Sequence, residues 1–178
     1  MAQVQGGDRA AFETLVHRHV DGLYGYARRL VSNATQAEDL TQEAWLIAWH
    51  KAGTYNARKA GVRTWLYRIL HNLAVDQRRR EHPTQPLENI EIAVTEDEPT
   101  IGLQRLSDAI GELGEQQRSA MALTYLRGFS NRECAHIMGI GLRAFESLLA
   151  RGRRALQNAL ENDVNETQHE VNNEHLGR

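Results

Sequence analysis

Two groups of cationic side chains hold most of the chemistry this sequence could do. Residues 51–80 carry Lys51, Arg58, Lys59, Arg63, Arg68, Arg78, Arg79 and Arg80 against the lone acid Asp76. Residues 141–156 carry Arg143, Arg151, Arg153 and Arg154 against Glu146. Cations so grouped attract polyanions, because each one that meets a phosphate releases a condensed counterion. Net charge over the 178 residues is only −2, so the signal lies in distribution. The balancing acids sit apart, in a run from Glu81 through Glu88, Glu91, Glu96, Asp97 and Glu98, and in the tail at Glu161, Asp163, Glu166, Glu170 and Glu174. Two basic islands around an acidic stretch suggest two polyanion-binding surfaces joined by a linker. Two solvated helix faces are the plainer alternative.

Catalytic constellations are hard to find. His17, His19, His50, His71 and His136 are the possible metal ligands. His17 and His19 stand two apart on a helical stretch, which points them to different faces, and neither H-x-x-x-H nor H-E-x-x-H occurs. There is no phosphate-binding glycine loop and no nucleophile elbow. Cys134 is the single cysteine, which excludes an internal disulfide and suits a reducing cytoplasm. It falls on the inward side of a short helix, as a small core residue rather than a redox sensor. No apolar run reaches the roughly 20 residues that cross a bilayer, and no signal peptide is visible. No cofactor, metal, catalytic residue or membrane insertion is expected.

The elements that must position the cations are helical. Composition is 41% hydrophobic and 6% aromatic, rich in Ala, Leu, Arg, Glu and Gln, and favours helices over sheets. Phe12, Leu15, Val16, Leu23, Ala27, Leu30 and Val31 recur at helical spacing, which predicts a helix over about 9–32 capped by Asp8. Thr35-x-x-Glu38 is a capping-box pattern for a second helix to about His50, closed by Gly53, with Leu40, Ala44, Ile47 and Ala48 buried. A loop from Thr54 to Gly61 precedes a third helix over about 62–80, with Leu66, Ile69, Leu70 and Leu73 inward. From 81 to 100 the periodicity fails among Pro83, Pro86 and Pro99, which marks a linker. A helix with Leu103, Leu106, Ile110 and Leu113 follows, then one from Glu115 to Arg127 ended by Gly128. Beyond Leu160 the Asn- and Glu-rich chain reads as a frayed tail.

"SNRECAHIMGIGLRAFESLLARGRR" then breaks a helix and restarts it at once. Ser130-x-x-Glu133 is a capping box, and Cys134, Ile137 and Met138 form the buried side. Gly139 and Gly141 allow a tight turn with positive φ. On the restarted helix Phe145, Leu148, Leu149, Gly152 and Leu156 share one half of the wheel, and Arg143, Glu146, Ser147, Ala150, Arg151 and Arg154 the other. Two helices across a glycine turn, the second with a basic outer face, describe a helix-turn-helix whose second helix can enter a major groove. A generic helical hairpin is the alternative.

"YLRGFSNRECAHIMGIGLRAFESLLARGRRAL" resembles the C-terminal DNA-binding domain of extracytoplasmic-function (ECF) sigma factors of bacterial RNA polymerase. It departs from the family pattern with Phe145 for an aliphatic residue and Gly152 for an alanine. "GDRAAFETLVHRHVDGLYGYARRL", "AEDLTQEAWLIAWHKAGTY" and "RTWLYRILHNLAVDQRRR" resemble the family's N-terminal helices, in order. The resemblance covers about residues 5–160. The family usually has more residues before "VQGGD", which would make Met1 an internal methionine.

The resemblance implies an all-α protein of two small domains: region 2 at 1–80, a flexible acidic linker at 81–100, region 4 at 101–160 and a polar tail at 161–178. It implies that Asp39, Gln42 and Glu43 dock on the largest polymerase subunit. It places −10 recognition and melting on the third helix and the loop before it, at Tyr55, Arg63, Tyr67, Arg68, Asn72 and Arg79. Independently of the family, the wheel puts Thr64, Arg68, His71, Asn72, Val75 and Arg79 opposite the leucines with Trp65 and Tyr67 beside them, and aromatic plus basic groups suit an unstacked base. The resemblance further implies that recognition of the −35 element falls to Arg143, Glu146, Ser147, Ala150, Arg151 and Arg154. Expected partners are core polymerase, promoter DNA and an anti-sigma factor. A dimeric helix-turn-helix regulator that never meets polymerase is the rival.

Overall fold

The computed structural model describes residues 1–31, 33–81, 110–111 and 113–158. Every described element is a helix or a turn, and among the described residues there is no strand. The predicted linker, the helix carrying Leu103 and Leu106, and the tail lie outside the described residues.

A short helix α1, Ala2–Gln5, opens the chain and buries Val4. It has no counterpart in the periodicity, because four residues are too few to show one. Helix α2, Arg9–Ala27, starts where Asp8 Oδ1 accepts from the Ala11 amide at 3.0 Å. It ends at Ala27, earlier than the apolar pattern suggests, because residues 28–30 turn away while Leu30 still reaches the core. Helix α3, Ala34–His50, is capped by Asn33, whose side chain accepts from the Gln36 amide at 2.8 Å. That corrects the Thr35 capping box: Asn33 already holds the extended backbone a cap requires, and Thr35 lies inside the first turn. A 3₁₀ turn at Ala52–Thr54 follows, so α3 stops before Gly53. The Gln5 amide donates to the carbonyls of Ala52 and Tyr55, pinning this turn to α1.

Helix α4, Val62–Glu81, packs on α2 and α3. Leu23, Tyr26, Leu40, Ala44, Leu66 and Leu70 are nearly or wholly sequestered between them. Two glycines on α2 lie where neighbours come close. A Cβ on Gly22 would stand 2.8 Å from the Tyr67 hydroxyl, and one on Gly25 would overlap the Arg127 guanidinium.

Helix α5, Glu115–Met121, passes into a π-helical turn at Ala122–Leu126, where the sequence pattern predicts one continuous helix. The Arg127 amide donates to the Ala122 carbonyl at 3.1 Å, a bond five residues back. The wider turn is invisible to a 3.6-residue periodicity. It ends at Gly128, φ 64°, and delivers Phe129 into the core.

Helix α6, Asn131–Met138, has the expected capping box: Ser130 Oγ accepts from the Glu133 amide, and Glu133 Oε2 accepts from the Ser130 amide at 2.9 Å. Gly139 closes it in the left-handed conformation, φ 68°. Gly141 has no positive φ, so one glycine makes the turn and not two. A last helix, α7, spans 142–158.

Candidate nucleic-acid interface

The wheel drawn for α7 holds in three dimensions. Phe145, Leu148, Leu149 and Gly152 are buried, and Leu156 is half-buried. Arg143, Glu146, Ser147, Arg151 and Arg154 are exposed, and Ala150 sits at the edge of that face. Phe145, where the family has an aliphatic residue, is fully enclosed. A Cβ on Gly152 would meet Gln117 and Met121 at 3.4 Å, so α7 lies close against α5. The result is a rigid, apolar-backed helix whose free face is arginine-rich, the geometry a major groove accepts.

Asp39, Gln42 and Glu43 are exposed together along α3 with Glu38. Leu46, one turn further on, is 61% exposed and extends the same stripe with an apolar group. Carboxylates beside an uncovered leucine suit a basic protein surface with an apolar centre.

The α4 face differs from expectation. Asn72 and Arg79 are exposed, and Arg79 donates to Asp76 at 3.0 Å. Thr64 and His71 are buried, and Tyr67 is only 2% exposed. The wheel treated α4 as if one face met solvent, whereas α6 and the segment before it lie across that face. Thr64 Oγ1 donates to Glu133 at 3.3 Å, and Arg68 donates to His136 at 3.1 Å. Arg63 donates to the Arg127 carbonyl and lies 3.9 Å from the centre of the Phe129 ring. Tyr67 meets Phe129 edge-on at 4.8 Å. Tyr26 Oη and His71 Nδ1 hydrogen-bond at 3.0 Å in the interior. Further along, Arg78 forms a buried ion pair with Glu115 on α5 at 2.5 Å.

A cavity of about 290 Å³ remains beside this contact. Tyr55 and Lys59 from the loop, Trp65, Arg68 and Asn72 from α4, and His136 from α6 line it. Tyr55 and Trp65 meet edge-on at 5.5 Å. Aromatic rings, an amide and two cations around a small hollow match the needs of an unstacked base and its phosphate.

The local electrostatics follow burial. Desolvation holds the His71 imidazole down to about 4. It also lowers His136, with the Arg68 charge adding to the effect. Hydrogen bonds from Ser130 hold the Glu133 carboxyl below the usual carboxylate value. At Glu115 burial pushes the carboxyl up more than Arg78 and Arg118 pull it down. Burial also raises the Cys134 thiol, which keeps it protonated and unreactive. Among the described residues no three His, Cys, Asp or Glu side chains gather as a metal site, and none of the described helices is long and apolar enough to cross a membrane.

Sequence reasoning missed Arg127, Phe129, Glu133 and His136 as neighbours of the α4 face. Their only sequence signals are helical position and the capping box, which say nothing of a partner as far as 69 residues away.

Comparison with known proteins agrees with this geometry. The Sigma-70 region 2 family matches residues 15–84, and the Sigma-70, region 4 family matches residues 103–156. The chain is 34% identical over 159 residues to the ECF RNA polymerase sigma factor SigM of Mycobacterium tuberculosis, covering 86% of this chain and 79% of that one. It is 30% identical to SigL of the same organism, covering 90% and 97%. Among solved structures it resembles CnrH in complex with the cytosolic domain of CnrY, at 28% identity and TM-score 0.69 over 91% of this chain and 95% of that one. It also resembles the sigma factor RpoE of Bartonella quintana in complex with the anti-sigma factor NepR, at 27% identity and TM-score 0.70 over 85% and 97%.

Proposed function

This chain belongs to the ECF sigma factors of bacterial RNA polymerase, and from that premise we propose how its surfaces divide the work. As a sigma factor it directs core polymerase to promoters. Residues 1–80 form the half that binds core enzyme and opens the −10 element, 81–100 the linker, 101–160 the half that reads the −35 element, and 161–178 a polar tail. The exposed stripe of Asp39, Gln42 and Glu43 docks on the largest polymerase subunit. Charged contacts of this kind set orientation and association rate more than affinity. Arg143, Arg151 and Arg154 anchor α7 on phosphates while Glu146, Ser147 and Ala150 face base edges. Glu146 accepts from a cytosine amino group, and Ala150 offers apolar contact to a thymine methyl.

Tyr55, Arg63, Tyr67, Arg68, Asn72 and Arg79 serve the parted strand at −10. Stacking contributes about 1–3 kcal/mol per base, comparable with the cost of unpairing, so a few captured bases are enough to favour local opening. The protein performs no catalysis of its own, since nucleotidyl transfer belongs to the polymerase. It works in the cytoplasm, under an anti-sigma partner of the kind seen with its solved relative from Bartonella quintana.

The observation that carries this reading is the clean partition of α7 into an enclosed apolar half and an exposed arginine-bearing half. Run-off transcription with core polymerase on genomic fragments tests it. Arg151→Ala is expected to weaken −35-dependent binding, and Asn72→Ala to impair opening with binding largely kept. If neither change alters initiation, the residue assignments are wrong.

A further inference from the structure

The loop between α3 and α4 supplies Tyr55, Asn56 and Lys59 to the wall of the cavity beside α4. Most of the hydrogen bonds in this loop are local. Thr54 Oγ1 donates to the Lys51 carbonyl at 2.7 Å, Asn56 Oδ1 accepts from the Arg58 amide at 2.9 Å, and the Asn56 carbonyl accepts from the Lys59 amide at 3.0 Å. Bonds between such near neighbours shape a turn but do not fix where it stands against the fold. Among the described residues, the hydrogen bonds that do so come from one side chain. Gln5 Nε2 donates to the Ala52 carbonyl at 3.1 Å and to the Tyr55 carbonyl at 3.0 Å, across 47 and 50 residues. A carboxamide nitrogen carries two hydrogens, so one glutamine serves both carbonyls at once.

Helix α1 is built to present this amide. Four residues are too few for a helix to stand alone in water. Val4 anchors it, at 3% exposure, and Gly7, φ 84°, turns the chain so that the Asp8 amide donates to the Gln3 carbonyl at 3.1 Å. Gln5, beside the anchor, is exposed and does not line the cavity. It grips main chain, so it acts on where the loop stands and leaves the chemistry to Tyr55, Asn56 and Lys59. Tyr55 leaves the turn with extended backbone, ψ 133°, and its ring meets Trp65 edge-on.

We propose that Gln5 is a positioning residue for base capture at −10: its side-chain amide clamps the turn from which Tyr55, Asn56 and Lys59 reach the cavity. The proposal rests on the sigma-factor reading of that cavity and adds a residue from outside the DNA-facing elements. A loop held at its base before DNA arrives has less freedom to lose when an unstacked base enters.

Holoenzyme assembled from core polymerase and the full-length chain tests the clamp. The probe is a fork of promoter DNA found by run-off transcription, with the −35 element paired and the −10 non-template strand single. Affinity is measured for the intact fork and for forks with an abasic site at each −10 position in turn. Gln5→Glu keeps the shape but turns an acceptor toward the carbonyls, and Gln5→Met removes the donor without adding charge. Both are expected to weaken binding of the intact fork by about fivefold. Both should also bring the ratio of intact to abasic affinity at the captured base toward unity. Gln5→Lys, which keeps a donor, should recover that ratio. Binding of a fully paired −35 duplex and of core enzyme should stay at wild type in all three. A merely structural role would weaken intact and abasic forks alike, and a ratio equal to wild type in Gln5→Glu and Gln5→Met overturns the clamp. A wild-type chain that forms no holoenzyme sinks the sigma-factor reading and the clamp with it, whereas an unaltered ratio sinks the clamp alone.

Discussion

Arg68 Nη1 donates to His136 Nε2 across 3.1 Å, joining α4 to α6. A guanidinium can only donate, so the imidazole nitrogen facing it is an acceptor and His136 is neutral in this contact. Lys59 lies across the shared cavity, and Glu133 sits one turn away on the same helix.

The α4–α6 contact therefore depends on pH. Burial in this contact lowers the His136 pKa, with the Arg68 charge adding to the effect, so protonation of the imidazole opposes the contact. The contact is at full strength above the ordinary histidine value of about 6.5 and weakens as pH falls below it. Small-angle scattering is expected to show a larger radius of gyration at pH 5.5 than at 7.5, and His136→Gln, which keeps an acceptor but cannot titrate, to respond less. An identical radius at both values would remove His136 from this role.

His71 gives a second, larger effect on global stability. Its imidazole is held near 4 by burial against the Tyr26 hydroxyl. Because the folded value is depressed, stability is complete above about 6.5 and declines as pH falls toward 4, by on the order of 3 kcal/mol in all. Urea unfolding followed by circular dichroism should show this decline, and His71→Gln should flatten it at some cost at neutral pH.

The helix-turn-helix should respond to its two cap positions and ignore a third. Ser130→Ala removes half of the capping box and costs about 1 kcal/mol. Gly139→Ala forces a Cβ into φ 68° and costs about 1–2 kcal/mol, although nothing lies within 4 Å of the added carbon. Gly141→Ala meets neither obstacle and should be neutral within about 0.5 kcal/mol. Thermal unfolding of the three variants separates these outcomes.

On α7, Arg151 and Glu146 should fail differently. Arg151→Ala is expected to weaken duplex binding for all sequences and reduce the salt slope by about one. Glu146→Gln should relax the preference at one base pair, worth about 1–3 kcal/mol, with little change in slope. Binding titrations at several salt concentrations on a promoter found by run-off transcription check both.

Helix content, the Asp8 cap, the Ser130 capping box and the two faces of α7 were all legible in the sequence, because each is a local pattern with a period or a fixed offset. The Asn33 cap was missed because Thr35-x-x-Glu38 satisfies the same rule two residues later. The π turn at Ala122–Leu126 escaped because it changes the pitch without changing composition. Burial of Thr64, Tyr67 and His71 was out of reach for a different reason. A helical wheel finds a polar face but cannot tell water from another polar protein surface, and Glu133 and His136 are polar. The same ambiguity hid the cavity wall that His136 supplies.

The sigma-factor function requires, before anything else, association with core RNA polymerase. Asp39, Gln42 and Glu43 are exposed on a helix whose opposite side is packed, so Asp39→Lys with Glu43→Lys should leave the fold intact. Gel filtration of the purified chain with bacterial core enzyme is predicted to give a joint peak that the double variant lacks, with equal helical content in both proteins. A wild-type chain that elutes apart from core enzyme would contradict the sigma-factor function.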